Sequence, residues 1–283
     1  MKIIFKKKKS EISVIKNLES EFKQVIHLAD IHIRNKSDRD DEYRSVIEHL
    51  NLNIKNDKQL KKNETLIIIC GDIFHDARKD GKLSPNAIQM FKNLISKLKK
   101  LGTLIIIPGN HDNNITYQSD DDNTIIDALK SQINDYEEYK SDVFYLAKTG
   151  IFQFGNILLS TVSVFDIDKI NLPEFYKERL NLLDNVSINQ DNKYKDLKKV
   201  FAGHFGIDGA KTENKYVLKD CCYKVTDLEK YDMVFLGDTH KHQFLGDKKQ
   251  IGYPNSLIQQ DYSESIKEHG YIKWNIEKNK GEF

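Results

Sequence analysis

With 283 residues and 44 Lys+Arg against 43 Asp+Glu, the chain is long enough to bury a large α/β core, and its formal charge of +1 provides no overall field for a polyanion. The three cysteines, Cys70 and the adjacent Cys221 and Cys222, make no spaced disulfide framework, which predicts a reducing compartment. No apolar run approaches the roughly 20 residues of a membrane span, and Met1-Lys2-Ile3-Ile4-Phe5-Lys6 has no apolar signal core, so the expected location is intracellular, cytoplasmic or nucleoid or nuclear.

Residues 1–22, with the Lys6–Lys9 run, read as a solvated N-terminal extension containing at most one strand. Gln24 to Ala29 then reads as a strand and runs directly into Asp30-Ile31-His32. Alternation along an extended chain would turn Asp30 and His32 to one side. Arg34 to Asp41 is expected to be a loop. Tyr43, Val46, Ile47, Leu50 and Ile54 follow at helical spacing, and Leu66 to Cys70 is a β-branched run suited to a strand buried on both faces. That strand stops at Gly71-Asp72, with His75-Asp76 just beyond.

Ser84-Pro85 forms an N-cap with proline in the first turn. Ile88, Phe91, Ile95 and Leu98 make the apolar stripe of the helix it opens, and Gly102 is expected to close it as a C-terminal glycine. Strand Thr103–Ile107 leads into Pro108-Gly109-Asn110-His111-Asp112. An acidic loop follows over Tyr117–Asn123, then a short helix from Thr124 to Leu129. From Val143 to Val164, with turns at Gly150 and Gly155-Asn156, the pattern predicts a second, more antiparallel sheet. Residues 171–197 are uninformative. Val200-Phe201-Ala202 enters Gly203-His204, Thr226-Asp227-Leu228-Glu229 has capping-box form, and Met233–Leu236 enters Gly237-Asp238-Thr239-His240.

Five strand ends therefore carry oxygen or imidazole donors: Asp30, His32, Asp72, Asn110, His204, Asp238 and His240. Open α/β sheets bind ligands outside the carboxyl ends of their strands, where such donors would meet. Without thiolates the set suits borderline to hard divalent ions, and seven donors exceed one tetrahedral site. Two ions sharing a bridging carboxylate would suit a phosphoester hydrolase. No glycine-rich phosphate loop, Cys-x-x-Cys pair or serine-hydrolase elbow competes with that reading.

The motifs Asp30-x-His32, Gly71-Asp72-x-x-His75-Asp76, Gly109-Asn110-His111-Asp112, Gly203-His204 and Gly237-x-x-His240 resemble the five motifs of the calcineurin-like metallophosphoesterases, over residues from about 25 to 243. The resemblance implies an α/β fold, a four-layer αββα sandwich of two mixed sheets flanked by helices, occupying residues 23–283. Phe74-His75, Gly203-His204-Phe205 with Asp208-Gly209-Ala210, Asp238-Thr239-His240-Lys241-His242-Gln243, Tyr253-Pro254-Asn255-Ser256-Leu257 and Gly270-Tyr271-Ile272-Lys273-Trp274 are similar to the SbcD branch, which includes the meiotic-recombination-eleven nuclease.

Carried over by position, the resemblance implies Asp30, His32, Asp72 and His240 around one ion and Asp72, Asn110, His204 and Asp238 around the other. The ions would be Mn2+, with Mg2+, Fe2+ or Zn2+ as alternatives. His111 would be the catalytic histidine, Asp112 would orient it, and His75 would place the scissile phosphate. DNA, as duplex ends or single strands, would be the substrate in repair or replication, with an SbcC-type coiled-coil ATPase and a second copy of the chain as partners.

The chain departs from the pattern in three places. Asp238 stands where the family has histidine, which adds a negative charge. Asn255 replaces a usual glycine and is expected to keep a positive-φ turn. The capping domain that follows in the family is expected to be absent, with only Glu277 to Phe283 remaining. These departures leave two further readings: a small-molecule or cyclic-nucleotide phosphoesterase, and a non-catalytic metal-binding scaffold for the ATPase. Protein phosphatase activity is disfavoured by Asp112 after the Gly-Asn-His motif.

Overall fold

The computed structural model describes residues 12–14, 20–75, 77, 82–113, 126–137, 142–167 and 194–283. The Lys6–Lys9 run, Asp76, the Tyr117–Asn123 loop, the Thr124 cap and residues 171–193 lie outside them.

Why the apolar runs become doubly buried strands is visible in β3 (Thr65–Cys70), where all residues are buried. Side chains alternate between the faces of a strand. Ile67 and Ile69 therefore pack under the helices, while Leu66, Ile68 and Cys70 enter a second core between two sheets. The same division holds in β2 (Gln24–Leu28) and β4 (Thr103–Ile107), which lie parallel on either side of β3. Each isoleucine fully buried this way contributes about 1.5–3 kcal/mol relative to exposure.

These strands belong to a six-stranded sheet completed by β5 (Val143–Tyr145) beyond β4, and by β12 (Ile272–Asn275) and β13 (Lys280–Glu282) beyond β2. Its outer face is covered by α1 (Asp40–Asn56), α2 (Pro85–Leu98) and α3 (Ala128–Glu137). In α1 the buried positions are Tyr43, Ile47, Leu50 and Ile54, with Val46 of the expected stripe only partly buried. In α2 they are Ala87, Met90, Phe91, Leu94, Ile95 and Leu98, with Ile88 at the margin, and Ser84 Oγ accepts from Ala87 N at 3.1 Å.

The second sheet has seven strands. In spatial order they are β1 (Ile12–Val14), β6 (Gly150–Phe154), β7 (Ile157–Val162), β8 (Lys198–His204), β9 (Met233–Gly237), β11 (Ile251–Tyr253) and β10 (Gln243–Leu245). Val200, Ala202, Met233 and Phe235 face the first sheet, and Phe201, Val234 and Leu236 face outward against Ile207, Tyr223, Leu228 and Tyr231. The architecture is thus an α/β sandwich of two mixed sheets flanked by helices. No helix among the described residues is long and apolar enough to cross a membrane.

Several local expectations change. The second sheet is mainly parallel, with antiparallel pairing only at β6–β7 and β10–β11, because β7, β8, β9 and β11 run in one direction. Part of the N-terminal extension joins this sheet as β1, parallel to β6. Residues Asp40 and Asp41, expected in a loop, already belong to α1, and Ser37–Arg39 is a 3-10 turn.

Gly102 does not cap α2 through a left-handed turn. Instead the chain passes so close to β3 that a Cβ there would lie 2.5 Å from the Thr65 carbonyl oxygen. The capping interaction near Thr226 is displaced: Asp227 accepts from Lys224 N at 2.8 Å and caps the short helix Val225–Leu228.

Candidate metal centre

Five turns at the carboxyl ends of β2, β3, β4, β8 and β9 meet in one crevice between the sheets. Asp30 and His32 do not face it through strand alternation. Each has φ of 52°, and Asp72 has φ of 53°, so left-handed kinks immediately after the strands aim these side chains inward. Non-glycine residues are uncommon there, and such conformations concentrate at functional sites. Gly71 supplies a further kink at φ 82°, and a Cβ on it would lie 2.2 Å from His204 Nδ1. Asn255 has φ of 75°, so the turn expected there is kept.

Asp30, His32, Asp72 and His204 are buried. The two oxygens of Asp72 face different imidazoles: Oδ1 lies 3.3 Å from His204 Nε2 and Oδ2 lies 3.6 Å from His32 Nε2. His240 Nε2 is 3.6 Å from Asp30 Oδ1 and 3.0 Å from His32 Nε2. Asn110 Oδ1 is 3.1 Å from His204 Nε2. His204 Nδ1 donates to the Cys70 carbonyl at 2.8 Å, which fixes the tautomer and turns Nε2 into the crevice.

Asp30, His32 and His240 offer ligand atoms within 4.8 Å of one another, as do Asp30, Asp72 and His204. Asp30 is thereby common to both groups, whereas Asp72 belongs to the second and reaches His32 of the first through Oδ2. Asp238 stands at the rim: its side chain is 41% exposed, with Oδ1 3.9 Å from His204 Nε2.

The electrostatics follow from crowding acids and imidazoles in a buried space. Burial alone would lower every histidine, but Asp72, then Asp30 and Asp238, hold His204 well above its ordinary value. Burial is likewise outweighed at His240, raised to about 10 by Asp30 and Glu264. His32, deeply buried and beside three other histidines, is pushed well below its ordinary value despite Asp72. Asp72 is lowered in spite of its burial, chiefly by His204. Buried carboxylates and imidazoles that share protons in this way are the chemistry that a divalent cation replaces on binding, and the donor set fits such ions.

His75 and His111 join the cluster from its other side. His75 Nδ1 is 3.3 Å from His32 Nδ1, and the ring atoms of His32, His75 and His111 form another close group. The orientation expected from Asp112 is not found. Its fully buried carboxylate accepts from the backbone N–H groups of Phe74, Gly109 and Ile73 at 2.8, 2.9 and 3.3 Å. His111 Nδ1 donates instead to the His75 carbonyl at 2.9 Å. Asp112 therefore braces the turns after β3 and β4, because three converging N–H groups outcompete one imidazole. Glu264, which belongs to none of the strand-end motifs, is buried with Oε1 2.7 Å from His240 Nδ1. No local spacing signals that contact.

A sandwich of two mixed sheets with acids and imidazoles gathered at the strand ends is a frame suited to holding divalent metal ions. More particularly, the model of the calcineurin-like phosphoesterase family matches residues 23–242, and the chain belongs to that family. It is 34% identical over 258 residues to the uncharacterized protein R555 of Acanthamoeba polyphaga mimivirus, covering 91% of this chain and 18% of that one. It is 28% identical over 232 residues to the SbcD component of the SbcCD nuclease of Staphylococcus epidermidis, covering 77% and 57% respectively. Against the putative phosphoesterase 244L of invertebrate iridescent virus 6 the identity is 26% over 212 residues, covering 74% and 63%. The chain thus spans less than two thirds of the length of each of these relatives.

Proposed function

We propose that the chain is a two-metal phosphodiesterase acting on DNA as an exonuclease or endonuclease of SbcD type. The observation that carries this reading is Asp72, whose two oxygens face His204 on one side and His32 on the other, as a bridging carboxylate requires. Asp30, His32, Asp72 and His240 would hold one ion, and Asp72, Asn110, His204 and Asp238 the other, with Mn2+ favoured by the oxygen-rich set. When bound, the ions supply positive charge to the phosphoryl oxygens and activate water. With Nδ1 committed to the His75 carbonyl, His111 would protonate the leaving oxygen through Nε2. His75, adjacent to both rings, would steady the scissile phosphate. The likeness to the SbcD component of the SbcCD nuclease supports DNA as substrate, and an SbcC-type ATPase and self-association are part of the same proposal.

A specific observation favours a small-molecule phosphoester as the second reading. The cavity of about 270 Å³ beside Asp238 and His240 is also lined by Glu213, Asp261 and Glu264, an acidic rim that repels a polyanion. Linear duplex DNA, single-stranded DNA and bis(p-nitrophenyl) phosphate, each with Mn2+, separate the two. DNA cleavage abolished in both His111→Ala and Asp72→Ala is the expected result. Inert DNA with robust turnover of the small diester would favour the second reading, and no turnover of any substrate would overturn both.

A further inference from the structure

We infer that Glu264 is the positioning residue of the metal centre, setting the tautomer and direction of the His240 ring. Resting on the metal-binding reading above, this adds a carboxylate outside the strand-end motifs.

Glu264 lies in the segment between β11 and β12 and is only 7% exposed, although the neighbouring Tyr262 and Ile266 are almost fully exposed. A carboxylate is costly to bury without partners, and here both oxygens are partnered. Oε1 accepts the Nδ1–H of His240 at 2.7 Å. Oε2 accepts from the backbone N–H of Gln260 at 2.7 Å and from Ser256 Oγ at 3.2 Å. With the Nδ1 proton held by Glu264, Nε2, the atom 3.6 Å from Asp30 Oδ1, is the nitrogen that gives up its proton to become a ligand. A carboxylate behind an imidazole raises its basicity and fixes its orientation as a ligand.

The segment that carries Glu264 is anchored in turn to the first motif. Leu257 N donates to the Asp30 carbonyl at 3.2 Å. Arg34 Nη2 donates to the Gln260 carbonyl at 2.8 Å, and Arg39 Nη1 donates to the Gln259 carbonyl at 2.5 Å. Glu264 is therefore held by the loop that supplies Asp30 and His32 while it holds the ring supplied by β9.

The test is calorimetric titration of Mn2+ into the wild-type chain, Glu264→Ala, Glu264→Gln and Ser256→Ala. Ser256→Ala removes one contact to Oε2 but leaves the contact to His240. A loss of roughly 10–100-fold in affinity for one ion in both Glu264 variants, with Ser256→Ala within about twofold of wild type, is expected. A folded Glu264→Ala chain that binds Mn2+ as tightly as wild type would overturn the proposal while leaving the metal reading intact. Absence of Mn2+ binding by the wild type would overturn both. Histidine 1H–15N spectra of the wild-type chain titrated with Zn2+ test the proposal without any variant. His240 is expected as the Nδ1–H form, and an Nε2–H form would overturn the assignment.

Discussion

Asp238 is where this centre departs most from the pattern its motifs resemble. It adds a carboxylate beside His204, and its position at the rim, 3.9 Å from Nε2, gives it room to swing inward. Replacing it by the softer imidazole in Asp238→His is expected to raise the preference for Zn2+ over Mn2+ by roughly tenfold or more, read from competitive metal titration. An unchanged preference would remove Asp238 from the ligand set.

His27 allows a test of a different kind, because it lies on β2 between the sheets, packed on Phe235, away from the crevice. Burial pushes its pKa down to about 3 from an ordinary 6.5. Between those values the unfolded chain binds a proton that the folded chain refuses, so stability falls as pH drops below about 6.5. The His27→Leu variant is expected to lose about 2.7 kcal/mol less than wild type on going from pH 7.5 to 4.5, measured by urea unfolding. Equal losses would show that His27 titrates normally in the folded chain.

Among the elements, the turns after the strands are more demanding than the strands themselves. Gly71→Ala would place a Cβ at φ 82° and against the His204 ring, so it is expected to cost more than about 1 kcal/mol and to weaken Mn2+ binding. Ser84→Ala removes only the α2 cap at 3.1 Å. It is expected to cost about 1 kcal/mol with Mn2+ affinity unchanged, and thermal melts beside metal titration separate the two. The same contrast explains what can be read in advance. The apolar runs of β3 and β4 and the stripe of α1 declare themselves because burial imposes a period on the sequence. The left-handed kinks at Asp30, His32 and Asp72 have no such signature. Strand alternation places Asp30 and His32 on one side of the chain, whereas the structure turns them to one side through left-handed kinks instead.

The two sheets meet where the donors meet. Asp30, His32, Asp72 and Asn110 come from the six-stranded sheet, while His204, Asp238 and His240 come from the seven-stranded one. Ions held between them would therefore link the layers and stabilise the folded chain by mass action, about 2.7 kcal/mol for one site at a hundredfold excess over Kd. Saturating Mn2+ is expected to raise the melting temperature by several degrees and chelation to reverse it. This convergence is legible in the sequence as five donor-bearing strand ends. The partners that fix the rings are not, because the Cys70 carbonyl behind His204 and Glu264 behind His240 are contacts between segments 134 and 24 residues apart.

The shared role of Asp72 is tested most directly by the number of ions the folded chain holds. Equilibrium dialysis against Mn2+ should give two ions per wild-type chain, with both sites weakened together in Asp72→Ala. A single ion in the wild type, or an Asp72→Ala chain that retains two with unchanged affinity, would contradict a centre bridged by that carboxylate.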